Sequence, residues 1–266
     1  MEYRQNPITR EWIATRANSL LAESDLYVRR QGISDTTQDA TFLNDHDACL
    51  VSASPGELAD FFRGYKTWID NMLDRAPHSA IHSIIKPSCK KNADHRTSQM
   101  FLVPDSDDYI DKTIINARKY YLKNNSCLWC GMIDQEIKSH DRMICQTDDF
   151  VVFVSYFARL PYETFVLPKQ HMPDFRSFPD HLFPQLGELC HDVIGRIYRA
   201  AHRSNMSLHL HNIVVPERHS LYTHWSIQLI PWMNNWAGFE IATAMYINVA
   251  SPEACAARLR TEKTAK

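Results

Sequence analysis

Four side chains with metal-ligating chemistry lie in the second half of the sequence. Cys127 and Cys130 form a CxxC pair, and His171 and His224 follow them along the chain. Two thiolates separated by two residues can bind one tetrahedral zinc ion from a tight turn, and two imidazoles complete a Cys2His2 set. A site closed by four protein ligands makes the ion structural. A redox-active cysteine pair, or a pair with no special role, is the alternative.

The intervals between these ligands are far longer than in a zinc finger, so a domain that folds for its own reasons must position them. A helix is predicted from Pro55 to about Leu73, because Ser54 can cap it and Glu57 can close a capping box. The other predicted elements are strands at 12–13 and 82–86, a helix at 108–123, a hairpin of 150–157 with 163–169, a helix at 180–201, strands at 208–215 and 225–230, and a helix starting at Ser251.

This order of strands, helix and strands occurs twice. It predicts an α+β protein with two similar halves, residues 1–120 and 121–266, each with mainly antiparallel strands and flanking helices. His-Arg-Thr-Ser-Gln at 95–99 and His-Trp-Ser-Ile-Gln at 224–228 form a weak internal echo of one another. The segment 17–45 lacks periodicity and is predicted to be a loop.

Composition narrows the class of protein. The chain has 266 residues, with 44% hydrophobic and 23% charged residues, as in ordinary globular proteins. A net charge of -2 gives no electrostatic reason to expect a nucleic-acid partner. No apolar stretch is long enough for a membrane helix. Seven scattered cysteines suit a reducing compartment better than a disulfide framework. We expect a cytoplasmic protein that binds a small molecule.

Several short motifs follow one another in a recognisable order. They are Arg4-x-Asn6-Pro7-x-Thr9-x-Glu11-Trp12, the CxxC with Gln135-Glu136, Pro161-Tyr162-Glu163-Thr164, Leu167-Pro168-Lys169-x-His171, His224-Trp225-x-Ile227-x-x-Ile230-Pro231, Ala237-Gly238-Phe239-Glu240, Tyr246-Ile247-Asn248 and Pro252-Glu253. With these residues the chain resembles the galactose-1-phosphate uridylyltransferase branch of the histidine-triad superfamily, which includes the plant-type ADP-glucose phosphorylases.

The resemblance implies two histidine-triad-like halves, the first shortened, and a homodimer. It also implies nucleotidyl transfer on a sugar nucleotide or related nucleoside phosphate, through a covalent intermediate on histidine. Arg16 and Lys169 are the implied substrate-binding residues. The same resemblance assigns zinc to Cys127, Cys130, His171 and His224.

The chain departs from the family pattern at the nucleophile. The family uses the second histidine of a first-half His-Pro-His-x-Gln motif. Here His95 and Gln99 remain, but Thr97 stands at the nucleophile position. The second half has Ser226 at the equivalent place, followed by Gln228. A hydroxyl is a weak nucleophile without an adjacent base.

Three functions therefore stay open. The first is an active nucleotidyltransferase or phosphorylase with Gln99 and Gln228 near the phosphate. Its nucleophile would be His95, Thr97 or Ser226, or phosphate or water would attack directly. The second is a catalytically inactive nucleotide-binding protein of the same fold. The third is a changed chemistry on another phosphate ester. The neighbouring His209 and His211 resemble the start of a triad but lack its third histidine, so they are predicted to make hydrogen bonds or line a pocket wall.

Overall fold

The computed structural model describes residues 2–10, 12–15, 51, 53–73, 79–86, 97–104, 108–212, 219–233 and 237–262. Its helices are α1 (Pro55–Leu73), α2 (Asp108–Asn124), α3 (Leu128–Ser139), α4 (Phe183–Ala200), α5 (Gly238–Thr243) and α6 (Pro252–Thr261). Its strands are β1 (Glu2–Gln5), β2 (Trp12–Thr15), β3 (Ser79–Lys86), β4 (Thr97–Pro104), β5 (Met143–Gln146), β6 (Phe150–Val154), β7 (Thr164–Pro168), β8 (Met206–Asn212), β9 (Ser226–Pro231) and β10 (Tyr246–Asn248). The predicted α+β class is confirmed.

The strands form two sheets. The large sheet has the order β4-β3-β8-β9-β7-β6-β5, and every neighbouring pair is antiparallel. The small sheet has the order β1-β2-β10, with β2 and β10 parallel. β3 and β4, from the predicted first half, extend the five strands of the second half at β8. The predicted boundary at residue 120 falls inside α2, and the division into two domains stays a prediction.

Local signals in the sequence explain several of the boundaries. The Ser54 hydroxyl accepts from the Glu57 amide, and the Glu57 carboxylate accepts from the Ser54 amide, which is the predicted capping box of α1. α4 begins three residues later than predicted, because a short 3-10 turn at Asp180–Leu182 precedes it and Pro184 lies in its first turn. The predicted loop at 17–45 lies outside the described residues.

α3 and β5 are absent from the predicted elements. The buried residues of α3 are Leu128, Trp129, Ile133 and Glu136. Positions 129, 133 and 136 do have helical spacing, but Glu136 is charged and the apolar stripe is short, so the sequence shows only a weak helix signal. β5 has four residues, and its pairing with β6 shifts register between Met143 and Cys145. A short strand with a bulge has little periodicity.

Each face of the large sheet covers its own hydrophobic cluster. On one face, Val152, Val166 and Ile227 pack with α1 and α4. On the other, Val151 and Phe165 pack with α3 and the N-terminal segment; the further members of this cluster include Ile8, Ile13, Leu128, Trp129, Ile133, Phe153 and Leu167. Adjacent strand residues belong to different clusters because successive side chains point to opposite faces. The second face carries the candidate site.

Gly187 permits the close approach of α4 to the start of α1. A Cβ atom at this position would lie 2.3 Å from the Pro55 carbonyl oxygen and 2.9 Å from the Ala59 amide nitrogen. Both neighbours are backbone atoms of a capped helix and cannot move away independently. The helices would have to separate, although alanine is intrinsically the better helix former.

We therefore expect Gly187→Ala to destabilise the protein by about 1–3 kcal/mol, the usual cost of overpacking. Chemical denaturation measures this. Gly195→Ala on the same helix is the matched control, since its Cβ would meet only the end of the Arg199 side chain. The control should be neutral or slightly stabilising. Equal stability of the two variants would contradict the proposed helix contact.

Candidate functional site

The four predicted ligands lie together in the structure. Their ligand atoms are all within 4.8 Å of one another. Cys130 Sγ lies 3.4 Å from His171 Nδ1 and 3.7 Å from His224 Nδ1. A tetrahedral zinc ion with ordinary bond lengths would separate sulfur from nitrogen by about 3.5 Å. The cluster can therefore hold a metal ion with little rearrangement, and its donor set is the one that zinc prefers.

Three separate parts of the fold supply the ligands. Cys127 caps the start of α3 and Cys130 lies in its first turn. His171 follows β7, and His224 precedes β9, the strand paired with β7. His171 Nε2 lies 2.9 Å from the Ser220 carbonyl oxygen, to which it donates. This bond leaves Nδ1 free of a proton for the metal, as is usual for metal-binding histidines.

The environment of the cluster favours a thiolate even before a metal binds. A hydrogen bond from Cys130 holds the pKa of Cys127 well below its usual range, burial opposes this, and His171 and His224 support it. The pKa of Cys130 is raised because its proton is shared with that thiolate. A hydrogen bond to Cys127 raises the pKa of His171. A metal ion would replace the shared proton.

A cavity of about 50 Å³ adjoins the metal ligands on the α3 face of the sheet. Its polar lining includes His211, His224, Ser226 and Gln228 from β8, β9 and the segment before β9. Its apolar lining includes Trp129, Phe157 and Phe165, and the N-terminal turn adds Asn6, Ile8 and Thr9. Asn6 shapes this turn, because its side-chain oxygen accepts from the amides of Ile8 and Thr9.

A chain of hydrogen bonds crosses one wall of the cavity. The Glu163 carboxylate is only 1% exposed, and it accepts from the Arg159 guanidinium and amide and from the Gln228 side chain. A carboxylate can only accept, so the amide nitrogen of Gln228 must face Glu163. The Gln228 oxygen then accepts from His211 Nε2 at 2.9 Å. Glu163 thus fixes the orientation of Gln228 and the tautomer of His211.

The structure separates the two echo motifs that the sequence suggests. Gln99 is opposite Ile84, Ile84 is opposite His209, and His209 is opposite Gln228. The two glutamines therefore occupy one cross-strand row, three strand spacings or about 14 Å apart. The second motif lines the cavity with Ser226 and Gln228.

The remaining predicted residues have varied positions. Thr97 is the first residue of β4 and lies opposite Lys86. Lys169 follows β7, where its amide donates to the Asp149 carbonyl oxygen, and it does not line the described cavity. Arg16 and His95 lie outside the described residues. His209 accepts from or donates to Ser207 at 2.7 Å, and His211 lines the cavity, as predicted for this pair.

Three of the motif residues, Arg4, Glu136 and Glu253, form a largely buried ion cluster with Arg142 and do not line the cavity. Arg142 pairs with Glu136 at 2.7 Å and with Glu253 at 2.9 Å. Arg4 also pairs with Glu253, through two hydrogen bonds of 3.1 Å. Both guanidinium groups lie over the Tyr156 ring. The cluster joins β1, α3, the residue before β5, and α6. Sequence motifs alone gave no sign that Arg4, Glu136 and Glu253 meet.

Comparison with known proteins agrees with this arrangement. Residues 113–230 match the family model "Galactose-1-phosphate uridyl transferase, C-terminal domain". ADP-glucose phosphorylase of Arabidopsis thaliana is 27% identical over 222 residues, which cover 81% of this chain and 61% of that protein. Galactose-1-phosphate uridylyltransferase of Thermotoga maritima is 22% identical over 236 residues, which cover 82% of this chain and 71% of that protein. The chain thus spans about three fifths of the Arabidopsis relative.

Solved structures show the same fold. An Arabidopsis thaliana ADP-glucose phosphorylase with bound ADP-glucose superposes with a TM-score of 0.79 at 21% identity, and the match covers 99% of both chains. A uridylyltransferase structure superposes with a TM-score of 0.72 at 17% identity over 98% of both chains. The ordered motifs, the matched model and the fold agree, and the chain is similar to the galactose-1-phosphate uridylyltransferase and ADP-glucose phosphorylase branch of the histidine-triad superfamily.

Proposed function

We propose that this protein acts on a sugar nucleotide or a related nucleoside phosphate, as a nucleotidyltransferase or phosphorylase. The observation that carries the proposal is the similarity to ADP-glucose phosphorylase over 81% of the chain. The polar cavity lined by His224, Ser226 and Gln228 of the second echo motif supports it. The family's histidine nucleophile would be replaced by Thr97 or Ser226, or bypassed by direct attack of phosphate or water on the α-phosphate.

One observation favours a second candidate, an inactive protein that binds a nucleotide. Ser226 is 0% exposed, and among the described residues its hydroxyl has no hydrogen-bond partner. A serine hydroxyl without a base in hydrogen-bond contact is a weak nucleophile. A nucleotide pocket could persist in such a protein after its reaction is lost.

A phosphorus NMR time course tests the two candidates. Purified protein is incubated with phosphate and with ADP-glucose, UDP-glucose or diadenosine tetraphosphate, alongside Thr97→Ala and Thr97→His variants. We expect turnover by the native protein and its loss in Thr97→Ala if Thr97 is the nucleophile. A native protein without turnover, together with activity in Thr97→His, would support the binding protein and contradict the enzyme.

We further propose that the metal is zinc with a structural role. The four protein ligands would fill all four coordination positions, which would leave none for a reacting water. Zinc there would fix the N-terminus of α3 against β7 and β9. We also propose that the protein is a homodimer in the cytoplasm. No helix of the described residues is both long and apolar enough to cross a membrane.

A further inference from the structure

We propose that the cavity beside the metal centre is an oxyanion subsite that binds a phosphoryl group through His224 Nε2 and Ser226 Oγ. The inference deepens the proposed function and rests on it for the substrate class. Inorganic phosphate and the phosphate of a small-molecule ester offer the same acceptor oxygens. Either could occupy the subsite, and the experiment below separates them.

His224 presents a hydrogen-bond donor to the cavity. Its Nδ1 faces Cys130, so the opposite edge of the ring, with Nε2, is left for the cavity that the residue lines. An imidazole that binds a metal through Nδ1 carries its proton on Nε2. This nitrogen is buried, and among the described residues it has no hydrogen-bond partner. A buried donor without an acceptor is costly, so the site favours a ligand that accepts.

Ser226 places a second unpaired polar atom in the same cavity. It lies opposite His211 on β8, in the strand that starts two residues after His224. Its hydroxyl is fully buried, and it also lacks a partner within the described part of the chain. A hydroxyl can rotate to donate to an acceptor. His224 and Ser226 together therefore offer two donors to the same cavity.

The charges of the cavity wall are compatible with an anion. Glu163 is the acidic residue of the described lining, and its carboxylate is compensated by the Arg159 side chain at 3.1 Å and by the amides of Arg159 and Leu160. Gln228 uses one amide hydrogen on Glu163, which leaves its second hydrogen as a further donor. The wall thus presents donors to the ligand and not a free negative charge.

The size of the cavity fits a small polar group. A buried water molecule needs roughly 10–15 Å³ of such volume, so 50 Å³ holds a few waters or one tetrahedral oxyanion. The aromatic walls of Trp129, Phe157 and Phe165 strengthen hydrogen bonds inside by excluding solvent. A base or sugar would have to remain outside the cavity.

Phosphate binding to the zinc-loaded full chain tests the proposal. Calorimetry is performed with inorganic phosphate, glucose 1-phosphate and ADP-glucose, on the native protein, Ser226→Ala and Ser207→Ala. Ser207 is the matched control, because it is equally buried on the same sheet face but its hydroxyl pairs with His209. We expect Ser226→Ala to weaken binding about tenfold or more, as for loss of a hydrogen bond to a charged group, and Ser207→Ala to leave it unchanged.

Nitrogen-15 NMR of the histidine side chains gives a second readout. Phosphate should shift the His224 Nε2 resonance, since its proton would gain an acceptor. Binding of inorganic phosphate would identify the free anion as an occupant, whereas binding of the esters alone would identify the substrate phosphate. Unchanged affinity in Ser226→Ala, or no shift at His224 at saturating ligand, would overturn the proposal and leave a water-filled cavity.

These results separate the subsite from the proposed reaction. Ser226-dependent phosphate binding without nucleotide turnover would confirm the subsite and contradict the enzyme. Turnover with no phosphate effect at His224 would support the enzyme and contradict the subsite. Thermal melting checks that Ser226→Ala is folded, which we expect because its hydroxyl makes no hydrogen bond within the described chain.

Discussion

Replacing Cys127 with serine should remove zinc and destabilise the fold together. The four ligands join α3 to the segments flanking β7 and β9, so the proposed zinc ion would close two long loops of chain. A ligand that binds only the folded state stabilises it by about 4 kcal/mol when its free concentration is about 1,000 times Kd. For a chain of this size, that loss corresponds to a melting temperature lower by roughly 8–16 °C.

Metal analysis and calorimetry of the same sample measure the two effects. Cys145→Ser is the matched control, because Cys145 is a half-buried free cysteine outside the cluster. It should retain zinc and melt close to the native protein. Chelation of zinc from the native protein should reproduce the Cys127→Ser result. A variant that has lost zinc but melts at the native temperature would show that the ion does not stabilise the fold.

Replacing Arg142 with methionine should cost about 3–5 kcal/mol, because it leaves a buried carboxylate without its partner. Glu136 is 4% exposed, and Arg142 donates to one of its oxygens from two nitrogens. Glu253 is affected less, since Arg4 still pairs with it. Urea denaturation measures the loss. The double variant Arg142→Met, Glu136→Met should recover most of the stability, because an apolar pair needs no compensating charge.

The loss should also depend on pH. Burial raises the pKa of Glu136 even in the native protein, against the opposing effect of Arg142. Without Arg142 that pKa rises further, so the folded variant binds a proton more readily than the unfolded chain. The stability of the variant then increases as pH falls towards the pKa of Glu136 in the unfolded chain. The variant should therefore be less impaired at pH 5 than at pH 8. A loss that is equal at both values would contradict the role given to Glu136.

The sequence was most informative where a signal is local. The capping box at Ser54 and Glu57 depends on four consecutive residues, and the structure contains it. The metal ligands are separated along the chain; the CxxC spacing indicates two of them, the family resemblance adds His171 and His224, and the structure brings the four ligand atoms together.

Contacts that depend on strand register could not be predicted in this way. Glu163 and Gln228 meet because β7 and β9 pair with Phe165 opposite Gln228, and no local pattern specifies that register. The ion cluster likewise joins Arg4 to Glu253 from opposite ends of the chain. The echo motifs of the sequence gave no distance between the two halves, whereas the sheet places Gln99 and Gln228 in one cross-strand row about 14 Å apart. Such contacts can be identified only once the pairing of the strands in the sheet is known.

The small sheet has a consequence for synthesis on the ribosome. β2 pairs in parallel with β10, and Arg4 of β1 pairs with Glu253, so the first strands need partners from the last part of the chain. At about 5–20 residues per second, these partners emerge roughly 12–48 s after β2. Until then β1 and β2 can pair only with each other, and the edge of β2 that receives β10 stays open. Docking of this segment, which also forms one wall of the cavity, is expected to be a late step after the large sheet has formed.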